Sequence, residues 1–261
     1  MIYEFSSQTH PGLLRENNED AVAFDEACGV AVLADGMGGY NAGEVASDMT
    51  IQSIKSDLCR WMTEHGDAAS VKAVRQAVSE SVALANAAVF HASNANTQYA
   101  GMGTTLVMGV FLPGQVVVGH IGDSRCYRLR DRQLTQISKD HSFLQEQIDA
   151  GLITLEQAAV SSNRNLVTRA LGIDDEVQLE VHEHRVEAGD LYLFCSDGLT
   201  DMVPDLPIAK ILETEASLEQ KAKQLINAAN AHGGRDNITV LLVHAVSDQK
   251  KRGLMARLIG N

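Results

Sequence analysis

Positive charge is what this chain has least of: 21 Lys and Arg stand against 34 Asp and Glu, a formal net charge of −13. Nucleic acid is therefore not an expected partner, because phosphate backbones are bound by surfaces with Lys and Arg in excess. No apolar run approaches the roughly 18 residues that a membrane span requires. The stretch Met1 to His10 lacks the basic and apolar regions of a secretory signal. These absences predict no stable membrane insertion and a cytoplasmic location. Cysteine is sparse. Cys28, Cys59, Cys126 and Cys195 form no C-x-x-C pair, which argues against a zinc knuckle or a disulfide framework and predicts reduced, mostly buried thiols. Internal repeats and low-complexity tracts are missing too, and a monomer is expected.

What remains is an ordinary globular composition, 45% hydrophobic and 21% charged over 261 residues, enough for one large domain or two small ones. Residues 43–64 place Ile51, Ile54, Leu58 and Trp61 at helical spacing, and residues 68–92 do the same with Val71, Val74, Val78, Val82, Ala85 and Val89. Short β-rich runs fall at 21–24, 30–34, 104–111, 116–121, 125–129, 179–186, 191–195 and 238–246. The turns Leu112-Pro113-Gly114-Gln115 and Glu187-Ala188-Gly189-Asp190 predict antiparallel hairpins. Strands and helices do not alternate regularly, so the expected class is α+β: an antiparallel β-sandwich covered by helices. Residues 139–175 carry two capping-box patterns, Ser142 to Gln145 and Thr154 to Gln157, with Gly151 placed to stop the first helix. They read as a small helical insertion. The basic tail 248–261 reads as a weakly helical end.

The chemistry lies in where the carboxylates fall. The buried run Val30 to Ala34 delivers Asp35 into Gly36-Met37-Gly38-Gly39. The run Leu191 to Cys195 delivers Asp197, and Val116 to Ile121 delivers Asp123. In the opposite sense, Glu19 and Asp20 precede the run 21–24, and Asp236 precedes the strand from Ile238. If the strands from Ala21 and Val30 form a hairpin, and the strand from Ile238 runs antiparallel to the one ending at Cys195, acids entering strands meet acids leaving them. Carboxylates so gathered raise each other's pKa values unless cations compensate. All-oxygen ligands suit Mg²⁺ or Mn²⁺. Any one Asp-Gly pair reads as a turn; the whole set at consistent strand ends does not.

At this point the chain resembles the metal-dependent serine/threonine phosphatases of the 2C type in their bacterial form, from about Ser7 to Val246. The motifs are Arg15 to Asp20, Asp35 to Gly39, Gly103-Thr104-Thr105, Gly122-Asp123-Ser124-Arg125, Ser196-Asp197-Gly198 and Asp236-Asn237. The resemblance implies a sandwich flanked by helices on both faces, one phosphatase domain over residues 1–247 and a flap at 139–175. It implies that Asp35 bridges two ions, the first completed by Asp197 and Asp236, the second by Glu19 and the Gly36 carbonyl. Asp20 would hold a metal-bound water, a third ion would sit on Asp123 and Asp197, and Arg15 would grip the substrate phosphate. The implied partners are phosphorylated proteins and a cognate Ser/Thr kinase. Two positions depart from relatives: Met37 stands where eukaryotic members carry His, and Ser161-Ser162 where many carry His-Pro in the flap. A pseudophosphatase acting as a partner-binding module is the non-enzymatic alternative, and the full ligand set argues against it. A cysteine phosphatase is the other rival, since Cys126 and Arg132 match C-x-x-x-x-x-R, but the residues between alternate like a strand and include no Gly. His182-Glu183-His184 reads as exposed strand decoration.

Overall fold

The structure is a computed structural model that describes residues 1–39, 42–66, 69–159, 161 and 166–247. The tail 248–261 and Ser162 of the flap lie outside the described residues. In chain order the elements are β1 (Ile2–His10), β2 (Asp20–Asp25), β3 (Val30–Met37), α1 (Ala42–His65) and α2 (Val71–Ala95). Then come β4 (Gly103–Thr104), β5 (Leu106–Leu112), β6 (Gln115–Ile121), β7 (Arg125–Arg130), β8 (Gln133–Gln136), α3 (Phe143–Asp149) and α4 (Leu155–Ala159). The chain closes with β9 (Glu180–Arg185), β10 (Leu191–Cys195), α5 (Asp197–Thr200), α6 (Asp205–Leu212), α7 (Leu218–Ala231) and β11 (Ile238–Val246).

Two antiparallel sheets stack. One runs β1-β11-β10-β7-β8, the other β2-β3-β5-β6-β9 with β4 paired to β3. Alternation along each strand sends one set of side chains inward between the sheets. That layer holds Leu33, Val107, Phe111, Tyr192, Phe194 and Leu241. Phe111 meets Tyr192 at 5.3 Å and Phe194 at 6.3 Å, both edge-on. The opposite faces take the helices. Ile54, Leu58, Val78 and Val82 of α1 and α2 cover β3 and β5, while Ile208, Leu212 and Leu225 of α6 and α7 cover β10 and β11. The result is the expected α-β-β-α layering.

The sequence reading is corrected in two places and extended in one. The turn Glu187 to Asp190 is not a hairpin: β9 belongs to one sheet and β10 to the other, so the turn carries the chain across the sandwich. Buried Asp190 holds it there, accepting from the Glu187 N–H at 2.8 Å and from Arg130 Nη2 at 2.6 Å. The N-terminal segment is an edge strand, β1, paired with β11 from Ile2↔Val246 to His10↔Ile238. Third, Cys28 and Cys59 are not reduced thiols; they form a disulfide with Cα atoms 5.4 Å apart, tying the β2–β3 turn to α1. Their separation of 31 residues gave no local signal, because the pair is made only when α1 packs on the hairpin. Cys126 and Cys195 are buried free thiols as expected.

Cross-linking a loop of that length stabilises a fold by about 2–4 kcal/mol. Cys59→Ser should therefore lower the urea midpoint, and reductant should lower it for the wild type but not for the variant. Equal midpoints throughout would show that the bridge does not bear on stability.

Candidate active site

Backbone pairing sets the acids in place. Asp20 and Asp35 are direct register partners on β2 and β3. Cys195 pairs with Val240, so the end of β10 lies beside the start of β11. Ser196 joins the two groups of acids: its hydroxyl donates to Asp20 Oδ2 at 2.8 Å and accepts from the Thr239 N–H at 3.0 Å. Asn237 stitches the third side. It accepts from the Glu19 N–H at 2.7 Å and donates to the carbonyls of Pro11 and Asn17 at 3.0 and 2.9 Å. Asp35 is fixed from the other direction. Its N–H donates to Thr105 Oγ1 at 3.0 Å, and its carbonyl accepts from the Thr105 N–H and Thr104 Oγ1, each at 2.8 Å. Thr105 Oγ1 also meets Ser124 Oγ at 2.7 Å, which links the segment after Asp123 to Asp35.

The glycines permit close approach. A Cβ on Gly36 would lie 2.1 Å from the Gly43 carbonyl and 2.6 Å from that of Glu19. Only glycine lets the end of β3 lie between the residue before β2 and the start of α1.

Electrostatically the acids are costly neighbours. Burial pushes Asp20 up to about 6 and Asp123 up to about 6, with Asp140 adding to the latter. Burial and then the charges of Asp20, Asp197, Asp123 and Asp236 push Asp35 well above the usual carboxylate range. Asp197 is raised likewise, by burial first and then by Asp123, Asp201 and Asp236. Glu19 is raised by burial, against an opposing pull from Arg15. Asp20 Oδ1 is buried with no hydrogen-bond partner. Clustered acids, an orphaned carboxylate oxygen and a donor set made wholly of oxygen fit hard divalent cations.

Arg15 lies at the mouth. It lines a pocket of about 230 Å³ with Glu19, Gly38 and Asn237 and pairs through Nη2 with Asp236 Oδ2 at 2.8 Å. The cysteine-phosphatase constellation does not form. Cys126 is buried on β7 with its thiol pushed well above its ordinary pKa, while Arg132 is exposed in the next turn and pairs with Glu213.

Residues 14–242 match the family model described as protein phosphatase 2C. The chain belongs to that family. It is 37% identical over 248 residues to the serine/threonine phosphatase stp of Listeria monocytogenes serotype 4b, covering 94% of this chain and 97% of that one. It is similar to the crystal structure of the Mycobacterium tuberculosis serine/threonine phosphatase PstP/Ppp, with a TM-score of 0.86, 36% identity, and coverage of 95% of this chain and 100% of that chain. The catalytic domain of PstP in complex with two manganese ions matches with a TM-score of 0.82 and 36% identity, covering 94% of this chain and 99% of that chain.

Within this 2C fold, the structure brings Glu19, Asp20, Asp35, Gly36, Asp197 and Asp236 to one end of the sandwich, with Asp123 beside Asp197 and Arg15 at the rim. Sequence reasoning assigned no role to Ser196, Asn237, Thr105 or Ser124, although each stood inside a quoted motif. It also overlooked two acids. Asp201 donates its N–H to the Asp197 carbonyl at 2.7 Å, one helical turn on. Asp140 holds Arg125 through Nε at 2.9 Å and Nη2 at 2.6 Å, fixing the Gly122 to Arg125 motif to the start of the flap.

Raised carboxylate pKa values make stability depend on pH. The native state keeps protons that the unfolded chain releases near 3.8, so stability falls as pH rises above that value, through about 6 for Asp20 and Asp123, and in the same sense for Asp35 and Asp197. The metal-free chain should therefore melt at a lower temperature at pH 8 than at pH 5, and Mn²⁺ should restore most at pH 8. Metal-free Asp123→Asn should melt above the metal-free wild type at pH 8. A lower melting temperature for that variant would contradict this account of the site.

Proposed function

We propose that the chain hydrolyses phosphoserine and phosphothreonine on proteins in a Mn²⁺- or Mg²⁺-dependent reaction. The observation that carries this reading is the convergence of buried and half-buried acids around Asp35, with one orphaned oxygen on Asp20, in a member of the 2C family. Asp35 would be shared between two ions, one completed by Asp197 and Asp236, the other by Glu19 and the Gly36 carbonyl. Asp123 with Asp197 would hold a third. Ions held by these residues would supply an acidified water and charge that offsets the phosphoryl oxygens.

The chain's own residues do the rest. Asp20, fixed by Ser196, would accept a hydrogen bond from the attacking water. Arg15 would leave Asp236 for the phosphate, offering two parallel N–H donors. Met37 has no proton to give the leaving group. Since water attacks directly, neither Cys126 nor any other nucleophilic side chain is required. We further propose one phosphatase domain over residues 1–247 with a flap at 139–175. It would act as a cytoplasmic monomer in signal transduction, opposing a Ser/Thr kinase; the chain's acidic surface and the absence of a membrane-spanning helix among the described residues accord with that setting.

Activity on phosphothreonine peptides should vanish in EDTA and return with Mn²⁺. Asp35→Asn should abolish turnover, and Cys126→Ser should leave it near wild type; the reverse pattern would overturn the metal mechanism. A charge-assisted hydrogen bond is worth roughly 1.5–3 kcal/mol, so Arg15→Ala should lower kcat/KM by about ten- to a hundredfold, with much of the loss in KM. Unchanged kinetics would mark Arg15 as a surface residue.

A further inference from the structure

His141, at the root of the flap, holds Gly122 by both of its backbone polar groups. The His141 N–H donates to the Gly122 carbonyl at 2.8 Å, and the Gly122 N–H donates to His141 Nδ1 at 3.1 Å. Gly122 has φ +97, and on its other side a Cβ would meet Thr105 Cγ2 at 2.7 Å. The residue before Asp123 is thus clamped between the imidazole and Thr105.

The imidazole is itself fixed. Because Nδ1 accepts, the ring proton is on Nε2, which faces Glu180 Oε1 at 3.3 Å. Arg169 lies 3.4 Å from Nε2 and 3.7 Å from the same Glu180 oxygen. The ring of His120, wholly buried, stacks on it with centroids 4.7 Å apart and an interplanar angle of 17°. His120 in turn donates through Nε2 to the Lys139 carbonyl at 2.7 Å. Such a network specifies one tautomer and one ring plane, so a bond at Nδ1 is aimed and not incidental.

His120, His141 and Glu180 also place ligand atoms within 4.8 Å of one another. The proton His120 gives Lys139 and the guanidinium of Arg169 beside His141 commit that cluster to its own hydrogen bonds and argue against a cation there. The main chain of His141 carries one more link: its carbonyl accepts from the Thr168 N–H at 2.9 Å, so the same residue closes the base of the flap.

We infer that His141 is a positioning residue for Asp123. Its Nδ1 fixes Gly122, and thereby the carboxylate that would hold the third ion, while Glu180 and His120 hold the imidazole to that task. The inference rests on the reading of Asp123 as an ion ligand. It adds a residue that touches neither ion nor substrate, and it connects the flap to the weakest ion.

Two substitutions separate the bond to Gly122 from mere packing. His141→Asn puts Oδ1 where Nδ1 stands and can still accept from Gly122. His141→Gln reaches toward Glu180 but has no acceptor at that place. Groups that orient ligands are worth about ten- to a hundredfold in metal affinity. Calorimetric titration of the full chain with Mn²⁺ should show the weakest class of sites near wild type in H141N and weakened about tenfold in H141Q, with the tight class unchanged in both. On phosphopeptide, H141Q should lose kcat with KM unchanged. If H141N and H141Q weaken that class equally, or neither does, the inference fails. Should H141Q not fold, as judged by circular dichroism, Glu180→Ala decides: it leaves Gly122 untouched but frees the ring, and should weaken the same class by up to about tenfold; no change would overturn the proposal. Asp123→Ala separates the two levels. If it retains the weak class, the reading of Asp123 is wrong; if it loses that class while H141Q keeps it, only the role of His141 is wrong.

Discussion

Asp20 and Asp123 are buried, Asp35 and Asp197 half-buried beside them, and loss of water together with the charge of neighbouring acids drives each toward its protonated form. Around this repulsion the remaining features of that sheet end make sense. Ser196, Thr105 and Asn237 spend their hydrogen bonds on holding backbone and carboxylate in place, since groups that repel will not stay together unaided. The three apolar layers supply the stiffness. A sandwich filled by Phe111, Tyr192 and Phe194 is a close-packed solid that does not yield to local electrostatic strain.

Antiparallel pairing is what makes such a gathering economical. In a parallel sheet only residues leaving strands would share an end. Here β2 and β11 enter the site while β3, β6 and β10 leave it, so five strands contribute acids from their ends or from the residues just beyond them. The cost of collecting like charges is set against cations that the empty sequence pattern already implies, and a fold that pays for its function in this way is least stable when its ligands are absent.

Much of this was legible beforehand. Strands announced by dense Val, Ile and Leu, the hairpin of β2 and β3, and the acids flanking them all fell where alternation and turn chemistry placed them. The capping box at Thr154 formed, with Gln157 and Thr154 bonded reciprocally, whereas at Ser142 only the cap formed: its hydroxyl accepts from the Gln145 N–H, and the Gln145 side chain turns to Asp149. Failures came where the signal was tertiary or overlooked. Strand β1, Ile-Tyr-Glu-Phe-Ser-Ser-Gln-Thr-His, is half-buried and weakly patterned, and it is a strand because β11 offers it nine partners. Helix α7 carried a readable capping box, Ser217 with Gln220, that sequence reasoning passed over. The Cys28–Cys59 bridge depends on a helix packing over a turn. His141 stood in the flap like any other polar residue, and only the fold reveals that its ring faces Gly122.

The flap leaves and rejoins the scaffold at nearly one place. His141 bonds Thr168, Phe143 bonds Leu166, and Ser142 bridges Val167; a few residues on, Leu171 exchanges both backbone hydrogen bonds with Thr104. The described residues between Phe143 and Leu166 therefore follow a closed stem. Lengthening such a loop costs only about 0.6 kcal/mol per doubling, so the segment's length is only loosely constrained by the closure of its stem. A substitution inside that segment reaches the acids through the few bonds at its base, above all those between His141 and Gly122.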